Sequence, residues 1–522
     1  MPTLRGLSSS VSASHGEGVP TLLSGFTKCP GLFYATPAQD GILSRIRIPG
    51  GILDSQQCYA IADIADEFGG GYVDVTNRAN LQIREIDKGI NAEVLQRLQD
   101  IGLGSPNPVV DHIRNIMTSP TAGIDSQELI DTRPFVQGWN QYILENPHLS
   151  GLSAKFSVCF DGGGAVSVGD RLNDITLAAV LVDSNVYFRL YLSVGAKGEP
   201  SRDMEILLTP EQCLPVLAAL ADVYLNHIDF NSSRKPRLRE IINTLGWENY
   251  LQLVLQRLNF AGETLTPQLP SLPVRFQEEL KERSDFQYQH IGIHPQVQPN
   301  LFYIGVVLPL GRLKSWQMRG LAELVEKYGT LRLTPWQNLL LTDIQEHQVA
   351  DVKNKIKSLK LDFAATNIKS ALVACSGSRG CAASATDTKG HALILAEYLE
   401  TRLTLDRPVN IHFSGCVKSC AQHSKSDIAL LGVSIEGENK NVEAYHIFVG
   451  DGDSNQKFGR LLYQYVTFSE LPALIERMLF VYQLQRLSCD ESFGNFSDRY
   501  PTIQLKQLFN KHLVEIFTTN AH

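Results

Sequence analysis

The sequence predicts an α+β fold built around a duplicated β-α-β half-domain, on three observations. Two stretches 260 residues apart repeat the same order of apolar strand positions, turn residues and helix start. Each copy is followed by a longer segment of mixed strand and helix patterning. The second of those segments carries four cysteines in two closely spaced pairs, each behind a short apolar run.

The chain has 522 residues, enough for three or four domains at roughly 150 residues each. A hydrophobic content of 43% with 20% charged residues allows a large core and excludes disorder as the dominant state. The net charge of −8 argues against a general nucleic-acid binder, which would show a basic domain or stripe. No apolar run approaches the roughly 20 residues that span a bilayer, so no membrane partner is expected. The Ser-rich first 25 residues read as a flexible tail; with Arg5 as their one cation they make a poor transit peptide. Nine cysteines, an odd number, make a thin disulfide framework and fit a reducing, cytoplasmic setting.

In the repeat, Ile42, Ile46, Ile48, Pro49, Gly51, Leu53, Ser55 and Gln57 fall on Phe302, Val306, Leu308, Pro309, Gly311, Leu313, Ser315 and Gln317. After a two-residue insertion at Gly69-Gly70, Thr76, Asn80, Leu81 and Ile86 fall on Thr334, Asn338, Leu339 and Ile344. Each copy reads as a strand, a Pro-Gly turn, an amphipathic helix from Asp54 or Ser315, and a strand through Thr76 or Thr334. Asp54 with Gln57 forms a capping-box pattern. A repeat seen twice is a duplication and not a solenoid. The two-fold symmetry is then satisfied within one chain, and a monomer is expected.

The copies differ where packing alone would treat them alike. Arg45, Arg47, Arg78 and Arg84 stand where the second copy has Gly305, Val307, Trp336 and Thr342. Residues two apart on a strand share a face, which applies to Arg45 and Arg47, and to Arg78 and Arg84 if their strand is regular. Four arginines confined to one copy favour an anion site over simple solubility. Between the copies, Asp111-His112-Ile113-Arg114-Asn115 precedes a strand read over Lys155–Phe160. The Asp161-Gly162-Gly163-Gly164 turn lacks the Gly-Lys-Ser/Thr ending of a phosphate loop and reads as a hairpin turn. Residues 285–300 read as a linker into the second copy.

The cysteine spacing is Cys375-x5-Cys381, then 34 residues, then Cys416-x3-Cys420. Structural zinc usually takes pairs spaced two to four residues apart. A [4Fe–4S] cluster accepts looser spacing, and the small residues in these loops let backbone N–H groups approach its sulfides. Spacing alone leaves cluster, zinc and unrelated core cysteines open.

Together the cysteine pairs and the duplicated half-domain resemble the sulfite and nitrite reductase superfamily over about residues 26–490. Supporting stretches are Arg45–Gly51, Thr76–Gln82, Arg114-Asn115-Ile116, Lys155-Phe156 and Asp387-Thr388-Lys389. The resemblance implies duplicated ferredoxin-like half-domains (26–100 and 286–350) and two α/β sirohaem/iron–sulfur reductase-type domains (101–285 and 351–490). A C-terminal extension (491–522) follows. It also implies that Cys375, Cys381, Cys416 and Cys420 hold a [4Fe–4S] cluster, with Cys420 bridging to the iron of sirohaem. By position, Arg78, Arg114 and Lys155 look like the residues that bind an anionic substrate. Sulfite-reducing members carry a second lysine two residues on, where this chain has Ser157, so sulfite loses support.

Within the superfamily, Gly415-Cys416-Val417-Lys418-Ser419-Cys420 is similar to the cluster loop of precorrin-3B synthase, an iron–sulfur monooxygenase of cobalamin biosynthesis. That similarity implies conversion of precorrin-3A to precorrin-3B by C20 hydroxylation with lactone formation, using dioxygen, with the tetrapyrrole substrate in the place of sirohaem. Arg45, Arg47, Arg78, Arg84 and Arg114 would secure its carboxylates, with Lys155 or Lys418 stabilising reduced oxygen. His423 and a separate non-haem iron stay open, as does the electron donor, a ferredoxin or a reductase. The alternative is a ferredoxin-dependent sirohaem nitrite or sulfite reductase, which Ser376–Gly380 and Asp387–Lys389 resemble more closely. A tetrapyrrole carrier without turnover is the non-enzymatic reading.

Overall fold

The computed structural model describes residues 31–34, 36–229, 234–258, 288, 290–437, 441–450 and 457–519. The sequence-predicted N-terminal tail lies outside them. Four five-stranded sheets form the frame.

The half-domains build the first two. In the first copy, strand Gly41–Ile46 pairs antiparallel with Leu81–Ile86, which pairs with Tyr72–Val75. In the second, Leu301–Val306 pairs with Leu339–Gln345, which pairs with Leu331–Leu333. What read as one strand through Thr76 or Thr334 is therefore a hairpin. A Thr-Asn pair closes each turn: Asn80 N donates to Thr76 Oγ1, and Asn338 N to Thr334 Oγ1. The Asn80 and Asn338 side chains accept from Ile48 N and Leu308 N at 2.8 and 3.0 Å.

Behind the Pro-Gly turns the copies exchange strands. Ile52–Leu53 joins the second sheet beside Leu331–Leu333, and Arg312–Lys314 joins the first beside Tyr72–Val75. The turns must be tight for this crossing. Gly51 has φ 72°, and a Cβ there would meet Leu333 O at 3.0 Å. Helices Ser55–Phe68 and Ser315–Lys327 pack against each other, tied by Arg319 to Asp63 and Asp66. The Asp54 capping box is present. One hydrophobic core, including Ile46, Ile61, Leu81, Ile304, Leu321 and Leu339, serves both copies.

The other two sheets are also a pair. Ile116–Thr118, Val158–Asp161 and Ile175–Val182 run parallel, and Asn185–Leu192 and Arg202–Leu208 return antiparallel. Leu372–Ala374, Ile411–Ser414, Ile428–Ile435, Val442–Val449 and Arg460–Thr467 repeat that order and those directions. Helices Arg133–Glu145 and Thr388–Glu400 cross between the first two strands of each set. Duplication thus covers the α/β domains as well.

Three local expectations change. The strand read from Lys155 begins at Val158. Asp161–Gly164 is not a hairpin turn, because the strands on either side are parallel; it starts a crossover that Asp161 organises by accepting from Gly163 N, Val168 N and Gly169 N. The segment read as a linker contains strand Gly292–Pro295, an edge of the second half-domain's sheet. At the C-terminus, Leu505 and Phe509 of helix Thr502–Thr519 enter the core of the second α/β domain. Among the described residues no helix is long and apolar enough to cross a membrane.

Candidate iron–sulfur and anion-binding site

Parallel strands end on the same side of a sheet, and that places the cysteines. Leu372–Ala374 and Ile411–Ser414 are neighbours in register, so the loops carrying Cys375–Cys381 and Cys416–Cys420 leave the same edge together. Cys375 N donates to Phe413 O, and Gly415 N points at Cys375 Sγ, 3.2 Å away. Thr388, opening helix Thr388–Glu400, donates its hydroxyl to Cys375 O at 2.7 Å. The Cys420 thiol is pushed up by burial and then by the charges of Cys416, Cys375 and Cys381. Cys420 thus lies within electrostatic reach of the other three cysteines; among the described residues no three ligating side chains stand close enough to hold one metal ion, so the fit rests on the chemistry of four thiols on adjacent loops. The residues present fit a [4Fe–4S] cluster.

The first α/β domain has no such set. In its corresponding loop after Ile116–Thr118, the Ser119 and Thr121 hydroxyls bond each other and Thr121 bonds Asp125, so side-chain hydrogen bonds close the loop.

Beside the cysteine loops lies a small cleft with a cavity volume of about 40 Å3. Both half-domain turns line it, with Asn77 and Arg78 from the first copy and Trp336 and Gln337 from the second, against Arg171 and His423. Arg78 donates to Leu172 O at 2.6 Å and to Asn173 Oδ1, and burial lowers its pKa to about 10, which leaves it charged near neutrality. Burial, then Arg78, Lys457, Lys197 and Arg237, push His423 down to about 4, so it stands neutral. Trp336 Nε1, Gln337 Oε1 and Ser424 Oγ are buried on this lining without hydrogen-bond partners among the described residues. Arg171 is paired with Asp170, which also lines the cleft, so Arg78 and the orphaned polar atoms are what suit a planar ligand with an anionic rim. A polycarboxylate macrocycle such as sirohaem fits that lining.

The sequence-predicted arginines do not form one set. The strand bearing Arg84 begins at Leu81, so Arg78 lies in the turn and the two share no face. Arg78 lines the cleft, whereas Arg84 makes a bidentate pair with Asp40 at 2.8 Å. Arg45 turns onto Gln82. Arg47 and Arg114 are buried beside Asp111, at 3.8 and 3.1 Å, and Arg114 also bonds Asn140. Lys155 and Lys418 are exposed.

Sequence reasoning missed Arg171, Lys197, Arg237 and Lys457. Arg237 pairs with Asp174, which also accepts from Ser157 N and, more distantly, from its hydroxyl. A guanidinium from elsewhere in the chain thus stands near the position where Ser157 replaces a lysine. No local motif marks these residues; they meet the site only through the fold.

Fold and candidate site together suit an iron–sulfur oxidoreductase scaffold, with a cleft lined by residues of both pseudo-symmetric halves. The family model described as nitrite/sulfite reductase ferredoxin-like half domain matches residues 36–101 and 294–359. The nitrite and sulphite reductase 4Fe-4S domain model matches residues 109–261, the α/β copy without the four cysteines. A ferredoxin–nitrite reductase of Synechococcus elongatus is 30% identical over 431 residues, 80% of this chain and 82% of that protein. The chloroplastic ferredoxin–nitrite reductase of Zea mays is 31% identical, over 80% of this chain and 75% of that one. The Mycobacterium tuberculosis NirA protein shares the fold, with a TM-score of 0.71 at 23% identity, covering 89% of this chain and 84% of that one. The chain belongs to the nitrite and sulfite reductase family.

These relatives overturn the precorrin-3B synthase expectation, and with it dioxygen and a tetrapyrrole substrate. The structure gives the reason. Val417 and Lys418, which carried that likeness, face solvent, and only their carbonyls are engaged, by Lys457 Nζ at 2.7 and 2.8 Å. The stretch resembling nitrite reductases is built into the site: Asp387 caps the helix, Thr388 holds Cys375, and Lys389 lies 3.0 Å from buried Asp74.

Proposed function

We propose that this chain is a sirohaem-dependent nitrite reductase that takes its electrons from a ferredoxin. The observation that carries the reading is the placement of the two cysteine-pair loops at the ends of adjacent parallel strands, beside a cleft lined by Arg78 and Arg171 with orphaned polar atoms. The relatives matched over four-fifths of the chain support nitrite as substrate and ferredoxin as donor.

Cys375, Cys381, Cys416 and Cys420 hold the cluster, and Arg78, Arg171, Trp336 and Ser424 hold the macrocycle and its substrate. When bound, the two groups supply a conduit for single electrons and an open iron position for nitrite. The chain's own contribution is electrostatic. Arg78, charged and fixed by Leu172 and Asn173, presents a guanidinium to an oxyanion without reorganising. His423 is neutral and hands no charge to the site. Lys155 is exposed and does not line the cleft, so no proton-transfer role is assigned to it. Arg47 and Arg114 act from behind as buried supports. The eight described cysteines are all free, which suits a reducing, cytoplasmic compartment.

The test is consumption of nitrite and of sulfite by the holoprotein, with reduced ferredoxin and with a reduced viologen dye. Nitrite turnover with both donors, at a kcat/KM well above that for sulfite, is expected. Preference for sulfite, or turnover of neither anion by protein carrying both groups, would overturn the proposal.

A further inference from the structure

Two of the differences between the copies have no explanation in anion binding. Arg84 stands opposite Thr342 in the repeat and Asn77 opposite Pro335, and both first-copy residues reach out of their half-domain to the cysteine loops. Arg84 Nη2 donates to Gly380 O at 2.8 Å, the carbonyl immediately before Cys381. Asn77 Nδ2 donates to Cys420 O at 3.2 Å. Each cysteine loop is therefore bonded, next to or on a cysteine, by the same half-domain.

The Arg84 contact is built for position. Asp40 takes both Nε and Nη2 at 2.8 Å, which fixes the guanidinium plane, and the side chain is buried. The loop is shaped to receive it, since a Cβ on Gly380 would lie 2.6 Å from Arg84 Nη2. With Nε and Nη2 committed to Asp40 and to a backbone carbonyl, the bidentate edge of Arg84 is already used and is poorly placed to hold a macrocycle carboxylate. A third tie, between Asp74 and Lys389, anchors the helix whose first residue binds Cys375 O.

We propose that Arg84 and Asn77 are positioning residues for the iron–sulfur cluster, aligning the Cys375–Cys381 and Cys416–Cys420 loops so that the four thiolates face one centre. The first half-domain then serves as the template on which the second α/β domain assembles its cluster. Fixing both loops to one rigid sheet removes their relative freedom before the metal arrives, and limits opening of the site to oxidants afterwards. The inference rests on the cysteine assignment under the proposed function.

The experiment compares wild type, Arg84→Gln, Arg84→Lys, Asn77→Ala and Gly380→Ala, purified anaerobically as full-length holoprotein. The readouts are iron and acid-labile sulfide per chain, extracted sirohaem, the reduced-cluster EPR spectrum and the half-life of the cluster in air. Lys355→Gln, which breaks an exposed pair with Glu323, is the control. Arg84→Gln and Gly380→Ala should each shorten the cluster half-life about tenfold or more and broaden its EPR signal, with sirohaem still bound after anaerobic preparation. Arg84→Lys should recover part of the loss, and Asn77→Ala should shorten the half-life less, having one bond to remove. Should Arg84→Gln not fold, Arg84→Lys and Asn77→Ala decide together with Gly380→Ala, whose new Cβ would also meet Ser376 Cβ at 3.1 Å. Wild-type cluster lifetime and EPR spectrum in both variants would overturn the proposal. Loss of sirohaem with an intact cluster would also overturn it, returning Arg84 to the macrocycle. Wild-type protein without any cluster would instead sink the cysteine assignment itself.

Discussion

Asp74→Asn probes the tie between the exchanged strands and the cluster domain. Asp74 lies on Tyr72–Val75 directly opposite Arg312, accepts from Arg312 Nε and Nη2 at 2.8 and 3.0 Å, and has Lys389 Nζ 3.0 Å from Oδ1. Burial would by itself raise this carboxyl, but the Lys389 ammonium and Arg312 guanidinium overcome it and hold it at about 2. Asparagine keeps the shape, removes the charge and turns an N–H toward one of the two cations. Removing one partner of a buried ion pair costs about 3–5 kcal/mol. The Arg312 side chain is 30% exposed and stacks 3.6 Å from the Tyr72 ring, so it relaxes toward water, which places the cost near the low end, about 3 kcal/mol. Where the amide N–H faces it, Lys389 keeps Leu310 O at 3.3 Å as its hydrogen-bond acceptor among the described residues. Adding Lys389→Met removes that stranded ammonium, so the double variant should lose less than the sum of the singles, by about 1–2 kcal/mol in a double-mutant cycle. Chemical denaturation followed by circular dichroism reads all four proteins. Single-variant effects that add within about 0.5 kcal/mol, or a cost for Asp74→Asn under about 1 kcal/mol, would refute the coupling.

Arg78→Ala should lower kcat/KM for nitrite by about 10- to 100-fold, the size of one charge-assisted contact, and unchanged kinetics would remove Arg78 from the site. Cys420→Ser should abolish iron and sulfide with little change in the circular dichroism spectrum, because serine keeps the size of the side chain and Cys420 belongs to none of the hydrophobic cores; a retained cluster would exclude it as a ligand. Burial pushes His112 to about 4 and His290 and His412 to about 3, below the ordinary 6.5. The unfolded chain then binds more protons than the folded one below about pH 6.5, so stability falls as pH drops through that window, by about 1.4 kcal/mol per pH unit for each histidine. Denaturation midpoints at about pH 5 and 7 should differ accordingly, His290→Gln should flatten the slope, and an unchanged slope in that variant would place His290 in water.

Much of the frame was legible because certain turns tolerate little change. Thr76 with Asn80 and Thr334 with Asn338 repeat since each Asn side chain is spent on a backbone N–H of the facing strand, and Gly51 and Gly311 repeat since the strand exchange passes within van der Waals contact of them. The α/β domains duplicate just as fully, yet their strands are plain apolar runs that many sequences satisfy, so the second repeat left no trace. The cysteine pairs were legible as ligands because spacing survives in sequence. Their convergence depends on two parallel strands in register, which spacing does not report. The arginines were read as one anion site from their confinement to one copy. The fold scatters them, because side-chain direction changes at the Thr76–Asn80 turn and at the end of Gly41–Ile46. Lys197, Arg237 and Lys457 sit in no motif, and only tertiary structure brings them to His423.

The most direct test of the central claim is the cofactor content of anaerobically purified protein, with iron, acid-labile sulfide and extracted tetrapyrrole measured on one sample. The account predicts one [4Fe–4S] cluster and one sirohaem per chain, the two electronically coupled in the optical and EPR spectra. A cluster with no stoichiometric sirohaem, or sirohaem bound to a chain whose four cysteines hold no iron, would contradict it.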